Sequence, residues 1–313
     1  LLQPRNKWIL DIFFGNNGLD PDFFTNQIEK EIKNLGPRFN KRLNFRLPIA
    51  QVFDNLSHND IFYRKLIKTI DNWLTEIRHR NIKDNEYLFE IEKELELLRT
   101  ELTNWISTFE YKLKNSILLS DFVEKIKLFN QKVSKERNSL YELRDLGKSN
   151  NKFDNELSRL REIENNNYKF LKKIDDLNIN LTNNPTLIIQ GEAGCGKSHL
   201  LGDIATQRKE LSLPTLLLLG TTFNNSSTIE QNILNKLGLT CSFGDFLSNL
   251  NNIGLNINSR VLILIDAINE GAGADLWKNQ IAGFVNVIAN YPAIGLVFTI
   301  RSTYFNDIIS TTF

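Results

Sequence analysis

Apolar and polar positions change period along the chain and divide it into three stretches. Pro21 stands at the favoured first turn of a helix whose Phe23, Phe24, Ile28 and Ile32 fall along one side, and Gly36-Pro37 ends it. Leu43 to Phe53 alternates weakly around Pro48 and reads as an extended connector. Ser57 and Asn59 are candidate caps for a helix with Ile61, Phe62, Leu66, Ile70, Trp73, Leu74 and Ile77 as its inner face. These elements make residues 1–81 a mixed, partly helical connector region. Over residues 82–182 nearly everything steps by three and four. Leu88, Ile91, Leu95, Leu98, Leu102, Trp105 and Phe109 form one seam. Phe122, Ile126, Phe129, Val133, Leu140 and Leu143 form a second, and Phe153, Leu157 and Leu160 a third, with Gly147 and Ser149 to Lys152 as breakers. The pattern predicts antiparallel helical hairpins, with a short coiled-coil arm as the alternative.

Over residues 183–313 short apolar runs alternate with amphipathic segments, the pattern of an α/β domain with a parallel sheet. Strands are expected at Thr186 to Gln190, Thr215 to Leu219, Val261 to Ile265 and Gly295 to Ile300. Helices are expected at Lys197 to Lys209, Thr228 to Leu237, Phe243 to Asn251 and Ala274 to Asn290. The fold class that follows is α/β, a parallel sheet with flanking helices preceded by a largely α-helical region; with Gly191 to Ser198 matching G-x-x-x-x-G-K-[ST] after the first strand, the sheet expected is that of a P-loop NTPase.

Composition narrows the partners. The 313 residues suffice for about two domains, and 41% hydrophobic with 24% charged residues excludes general disorder. Lys+Arg 38 against Asp+Glu 37 leaves a net charge of +1, so no whole-chain field recruits nucleic acid or an anionic membrane. Direct nucleic-acid binding is not expected. Two cysteines, Cys195 and Cys241, make no disulfide framework, no apolar run reaches the ~18 residues of a membrane span, and no signal peptide opens the chain. A cytoplasmic protein without a membrane partner is the expectation. With no Met in the chain and Thr311-Thr312-Phe313 following a helix-like run, a fragment of a longer protein is expected.

The candidate chemistry begins at Gly191-Glu192-Ala193-Gly194-Cys195-Gly196-Lys197-Ser198, which matches G-x-x-x-x-G-K-[ST] between an expected strand and an expected helix. Glycines let the backbone wrap closely, so that N–H groups and the helix N-terminus face phosphate oxygens. Gly191 through His199 is therefore the expected nucleotide-binding run. Lys197 brings charge to the β- and γ-phosphates and Ser198 a hydroxyl to Mg²⁺. An apolar strand ending in Asp266 supplies the carboxylate for the Mg²⁺ shell, and Glu270, one short turn later, can orient or deprotonate water. A strand between these two often ends in a group sensing the γ-phosphate; Thr299 and Arg301 are the candidates, Arg301 preferred for reach and charge. ATP with Mg²⁺ is the expected ligand. Asn151-Lys152-Phe153-Asp154 fits the guanine-reading N-K-x-D pattern but lacks a preceding apolar strand. His58, His79 and His199 have no Cys or His at metal-ligand spacing.

Asp266-Ala-Ile-Asn-Glu270 followed by Gly271, together with Thr299-Ile-Arg301-Ser-Thr-Tyr304, resembles the STAND class of NTPases, NACHT-like signalling switches whose acidic residue lies several positions beyond the strand-terminal Asp. The stretches Gly36-Pro-Arg38-Phe39 and Leu47-Pro-Ile-Ala-Gln-Val-Phe53 are similar to the segment that precedes the NTPase in bacterial antiviral STAND proteins. NACHT proteins usually carry Asp immediately before the Glu, where this chain has Asn269. The resemblance implies ATP hydrolysis, homo-oligomerisation on activation, a phage-protein trigger read by a C-terminal sensor, and a remote effector, in antiphage defence. An AAA+-type motor acting on nucleic acid or protein is the alternative.

Overall fold

The apolar runs after residue 183 fold as a sheet. The computed structural model describes residues 19–41, 50–78, 85–109, 117, 119–146 and 153–309. Strands β1 (Thr186–Gly191), β2 (Thr215–Leu219), β3 (Val261–Asp266) and β4 (Ile294–Arg301) pair in the order β1-β4-β3-β2, all parallel. β2 and β3 are buried at every position, as strands covered on both faces require. In chain order the helices are α1 (Pro21–Leu35), α2 (Ala50–Ser57), α3 (Asp60–Glu76), α4 (Phe89–Thr108), α5 (Ser120–Leu146), α6 (Asp154–Asp176), α7 (Ile179–Asn183), α8 (Lys197–Glu210), α9 (Ile229–Leu237), α10 (Phe243–Ile257), α11 (Ala274–Ala289) and α12 (Ser302–Ile308). Among the described residues, one compact unit takes those up to Asp60 and from Asn180 onward; Ile61 to Ile179 make the other. No helix among them is long and apolar enough to cross a membrane.

Strand alternation sorts the first unit into layers. Leu216, Leu218, Ile263, Ile265, Leu296, Phe298 and Ile300 point to one face, packed with Ile233 of α9, Phe246 and Leu250 of α10, Trp277, Ile281 and Phe284 of α11 and Ile308 of α12. Leu217, Leu219, Leu262, Leu264 and Val297 point to the other, where Leu201 and Ile204 of α8 meet Ile28 and Leu35 of α1 and Phe53 and Leu56 of α2. Helices upstream of the glycine-rich loop thus complete the second face.

Two devices fasten them. β2 is an edge strand, and Gln27 of α1 pairs with its free backbone: the Leu217 N–H donates to Gln27 Oε1 (3.0 Å), and Gln27 Nε2 donates to the Leu217 carbonyl. A side-chain amide thereby closes an edge that is otherwise a template for another strand. At the N-terminal ends of the strands, buried Arg208 donates to Ser57 Oγ (2.6 Å), Thr215 Oγ1 (2.7 Å) and the Arg260 carbonyl (2.9 Å). Arg260 donates to the carbonyls of Leu56 (3.0 Å) and Pro292 (2.8 Å). Burial pushes the Arg208 guanidinium below its ordinary value, opposed by the negative charge of Asp54.

In the second unit the ion pairs give the helix directions. Lys125 meets Glu101 (2.7 Å) and Lys132 meets Glu94 (2.5 Å), so α5 runs antiparallel to α4. Asn130 bonds Asn167 and Ser134 bonds Glu164, which sets α6 antiparallel to α5. The core is Phe62, Leu66, Ile70 and Trp73 of α3 with Leu95, Leu102, Ile126, Phe129, Leu160 and Phe170. Buried within it, Arg159 grips Glu92 with two bonds (2.6 and 3.1 Å).

Several sequence expectations change. The connector expected from Leu43 to Phe53 falls partly outside the described residues, and its end is helical in α2, because Phe53 and Leu56 bury their side chains beneath the sheet. Ile61 is exposed: adjacent residues on a helix lie about 100° apart, so the buried stripe Phe62, Leu66, Ile70, Trp73 excludes it. Leu143, in the last turn of α5, is also exposed. Ser57 closes α2, its hydroxyl donating to the Phe53 carbonyl. α10 continues past Asn251 to Ile257, since Ile253 is buried and Gly254 packs so closely on Ala293 that a Cβ would lie 2.6 Å from its carbonyl oxygen. The breakers Gly147 and Ser149 to Lys152, His79, Leu1 and the last residues lie outside the described residues.

Candidate functional site

Parallel register brings three strand ends together: Gly191 sits opposite Arg301, and Asp266 closes β3 beside them. Ligand sites of parallel α/β sheets lie beyond these carboxyl ends. From β1 the chain turns through Gly191–Gly196 into α8. Gly194 and Gly196 hold φ of +77° and +92°, left-handed conformations natural to glycine, and Gly196 is the N-cap of α8. Lys197 folds back so that Nζ donates to the carbonyls of Gly191 (2.7 Å) and Glu192 (2.8 Å), 3.5 Å from Cys195 Sγ.

The end of β3 is knitted to the end of β4. Thr299 Oγ1 donates to Asp266 Oδ1 (2.6 Å) and accepts from the Ala267 N–H (2.7 Å). The Arg301 N–H donates to Asn269 Oδ1 (2.9 Å), and the Ile268 N–H to the Thr299 carbonyl. Asp266 is 1% exposed, and among the described residues its Oδ2 has no hydrogen-bond partner. Leaving a buried carboxylate oxygen unsatisfied costs about 1–3 kcal/mol or more, so this atom is suited to accept from a ligand or water or to bind a cation. At the next turn Arg301 Nη2 donates to Glu270 Oε1 (2.5 Å), and Arg38 Nη1 lies 3.5 Å from Glu270 Oε2.

These groups surround one cavity of about 380 Å³. Its lining is Ala193, Gly194 and Gly196 to His199 from the loop and α8, Asp266, Ala267, Asn269 and Glu270 after β3, Thr299 and Arg301 from β4, and Pro37 and Arg38 from upstream. Most of the expected site residues therefore meet: Ala193, Gly194, Gly196, Lys197, Ser198, His199, Asp266, Glu270 and Arg301. Gly191, Glu192 and Cys195 do not line the cavity; the first two support Lys197 through their carbonyls, and Cys195 is exposed. Both groups considered at β4 line the cavity: Thr299 is fully buried and held against Asp266, while Arg301 carries its charge to Glu270. Sequence reasoning did not assign Pro37, Arg38, Ala267 or Asn269 to the site. The available signal was the Gly36-Pro37 punctuation, which fixes a turn at the end of α1.

A divalent cation fits the donor set. Ser198 and Asp266 share the cavity, and the unpartnered Oδ2 offers a hard oxygen ligand; Mg²⁺ commonly takes one or two protein oxygens, with phosphate and water completing its shell. Compared with known protein families and with curated proteins, the chain matches none.

Proposed function

We propose that this cavity binds ATP with Mg²⁺ and that the chain is the NTPase core of a STAND-like regulatory switch, able to hydrolyse the nucleotide. One juxtaposition carries the reading: a buried, unpartnered Asp266 oxygen in the same cavity as Lys197, Ser198 and a glycine-rich loop opening a helix. The first N–H groups of α8 have no intrahelical acceptor, and the helix N-terminus adds partial positive charge, which suits phosphate oxygens. Lys197 supplies a full charge. Ser198 and Asp266 would hold the metal, which neutralises charge on the phosphates. Glu270 would orient a water and accept its proton, and Arg301 would contact the γ-phosphate. The position of β4 between β1 and β3 supports a P-loop NTPase fold.

The switch assignment rests on the STAND resemblance of Asp266 to Gly271 and Thr299 to Tyr304. With it come homo-oligomerisation on activation, a phage-protein trigger read by a sensor outside this chain, a separate effector and a cytoplasmic setting. Titration calorimetry tests the ligand. Mg-ATP should bind the wild type and Mg-GTP should compete poorly. Lys197→Ala should weaken ATP about ten- to a hundredfold, the size of one strong charge-assisted hydrogen bond. Absence of wild-type binding at millimolar Mg-ATP overturns the proposal.

A further inference from the structure

One wall of the cavity comes from far upstream. Pro37 and Arg38 belong to the 3₁₀ turn Gly36–Arg38 that ends α1, and both line the cavity. The turn is anchored. Phe39 packs onto Gly202 of α8 so closely that a Cβ there would lie 2.7 Å from its ring. The same ring lies 5.3 Å from that of His199, whose Nε2 is 3.0 Å from the Asn40 carbonyl. Arg38 itself is held lightly: its nearest carboxylate oxygen is Glu270 Oε2 at 3.5 Å, and its side chain is 41% exposed. Arg301 holds the other oxygen of Glu270 at 2.5 Å. One carboxylate is thus bracketed by two guanidinium groups.

The lining carries three cationic side chains, Arg38, Lys197 and Arg301, against two carboxylates, Asp266 and Glu270. A single-point, half-exposed ion pair is a weak hold. A phosphoryl group offers a guanidinium more, and better-charged, acceptor oxygens than the shared Glu270 does. The buried, unpartnered Asp266 oxygen in the same cavity independently points to a ligand there.

We propose that Arg38 is a triphosphate-sensing latch: it holds Glu270 while no γ-phosphate is present and leaves Glu270 for the γ-phosphate when one arrives. This rests on the nucleotide reading above. The exchange frees one oxygen of Glu270 to accept a hydrogen bond from water. It also ties the segment Gly36 to Lys41, and through it α1, to the nucleotide state.

The test uses the 313-residue chain with Mg²⁺, a non-hydrolysable ATP analogue and ADP. Affinities are measured for the wild type, Arg38→Ala and Arg38→Lys, with hydrogen exchange over residues 36–41 in each state. Arg38→Ala should weaken the triphosphate analogue about tenfold and leave ADP unchanged, with Arg38→Lys recovering part of the loss. Exchange over 36–41 should differ between the two wild-type complexes and become alike in Arg38→Ala. The latch is overturned if both variants weaken analogue and ADP equally or not at all, or if wild-type exchange over 36–41 ignores the third phosphate. A wild type that binds neither nucleotide removes the nucleotide reading itself; normal wild-type binding with indifferent Arg38 variants removes the latch alone.

Discussion

Thr299 sets the floor of the cavity with one hydroxyl. By donating to Asp266 Oδ1 and accepting from the Ala267 N–H, it fixes a carboxylate whose second oxygen stays unpartnered, and it braces a left-handed residue (Ala267, φ 53°) that does not adopt that backbone freely. Asn269, where the resembling family usually has Asp, uses only its oxygen toward the β4 backbone. That bond needs no charge, so Glu270 is the carboxylate that faces Arg301. At the opposite end of the sheet, burial and then the charge of Arg260 lower the pKa of His58 from 6.5 to about 3. Between these values the unfolded chain binds the extra proton, so stability is fully present above pH ~6.5 and falls as pH drops toward ~3, by at most about 1.4 kcal/mol per pH unit from this group. His58→Asn tolerates the left-handed backbone there (φ 48°) and cannot titrate. Urea midpoints at about pH 7.5 and about pH 5 should differ less for His58→Asn than for the wild type; equal differences would exclude His58 as the source.

Elements built from one period were legible, and those built from distant partners were not. β2 matches its expected bounds because a continuous apolar run flanked by turn residues has no competing reading, and α9 and α10 start at their Thr228 and Ser242 caps. The loop, Asp266 and Glu270 were legible because their spacing follows the strands that carry them. What the upstream helices cover was not: Gln27 looks like a polar position on α1, and its pairing with Leu217 needs the edge strand to be known. Arg38 escaped for the same reason, since its place in the cavity is set by Phe39 resting on Gly202. In the helical unit, Glu92 and Arg159 sit within apolar seams as buried charges whose pairing the seams do not announce, with Arg159 also reaching Glu162 and the Arg78 carbonyl. Arg159→Met should cost about 3–5 kcal/mol in urea unfolding by taking both guanidinium bonds from the buried Glu92 carboxylate, and the double change Glu92→Leu with Arg159→Met should recover most of it. A double variant as unstable as the single one would mean that packing, not the buried carboxylate charge, sets the loss.

At the scale of the whole molecule, the helical unit, Ile61 to Ile179, is inserted in sequence between α2 and the end of α7, so the unit that holds the cavity is discontinuous in sequence. If the chain is a switch, the ATP-bound state matters more than turnover. Glu270→Gln should slow hydrolysis about 10²–10⁴-fold yet bind ATP as the wild type does, whereas Asp266→Ala loses the Mg²⁺-dependent part of binding. Mass photometry after addition of the trigger should find assemblies with Glu270→Gln and none with Asp266→Ala. A Glu270→Gln protein that binds ATP but never assembles would make turnover itself the function. The insertion also orders events at the ribosome. The Leu56 carbonyl must wait for Arg260, 204 residues later, and Gln27 waits 190 residues for Leu217. At about 5–20 residues per second, the longer wait is about 10–40 s of synthesis. Meanwhile the helices of the inserted unit, whose core cluster is built from that unit's own residues, can finish folding. Until β1 and β2 are made, Ile28, Leu35, Phe53 and Leu56 have no strand to cover them, and the nascent chain must shelter them on a chaperone or on itself.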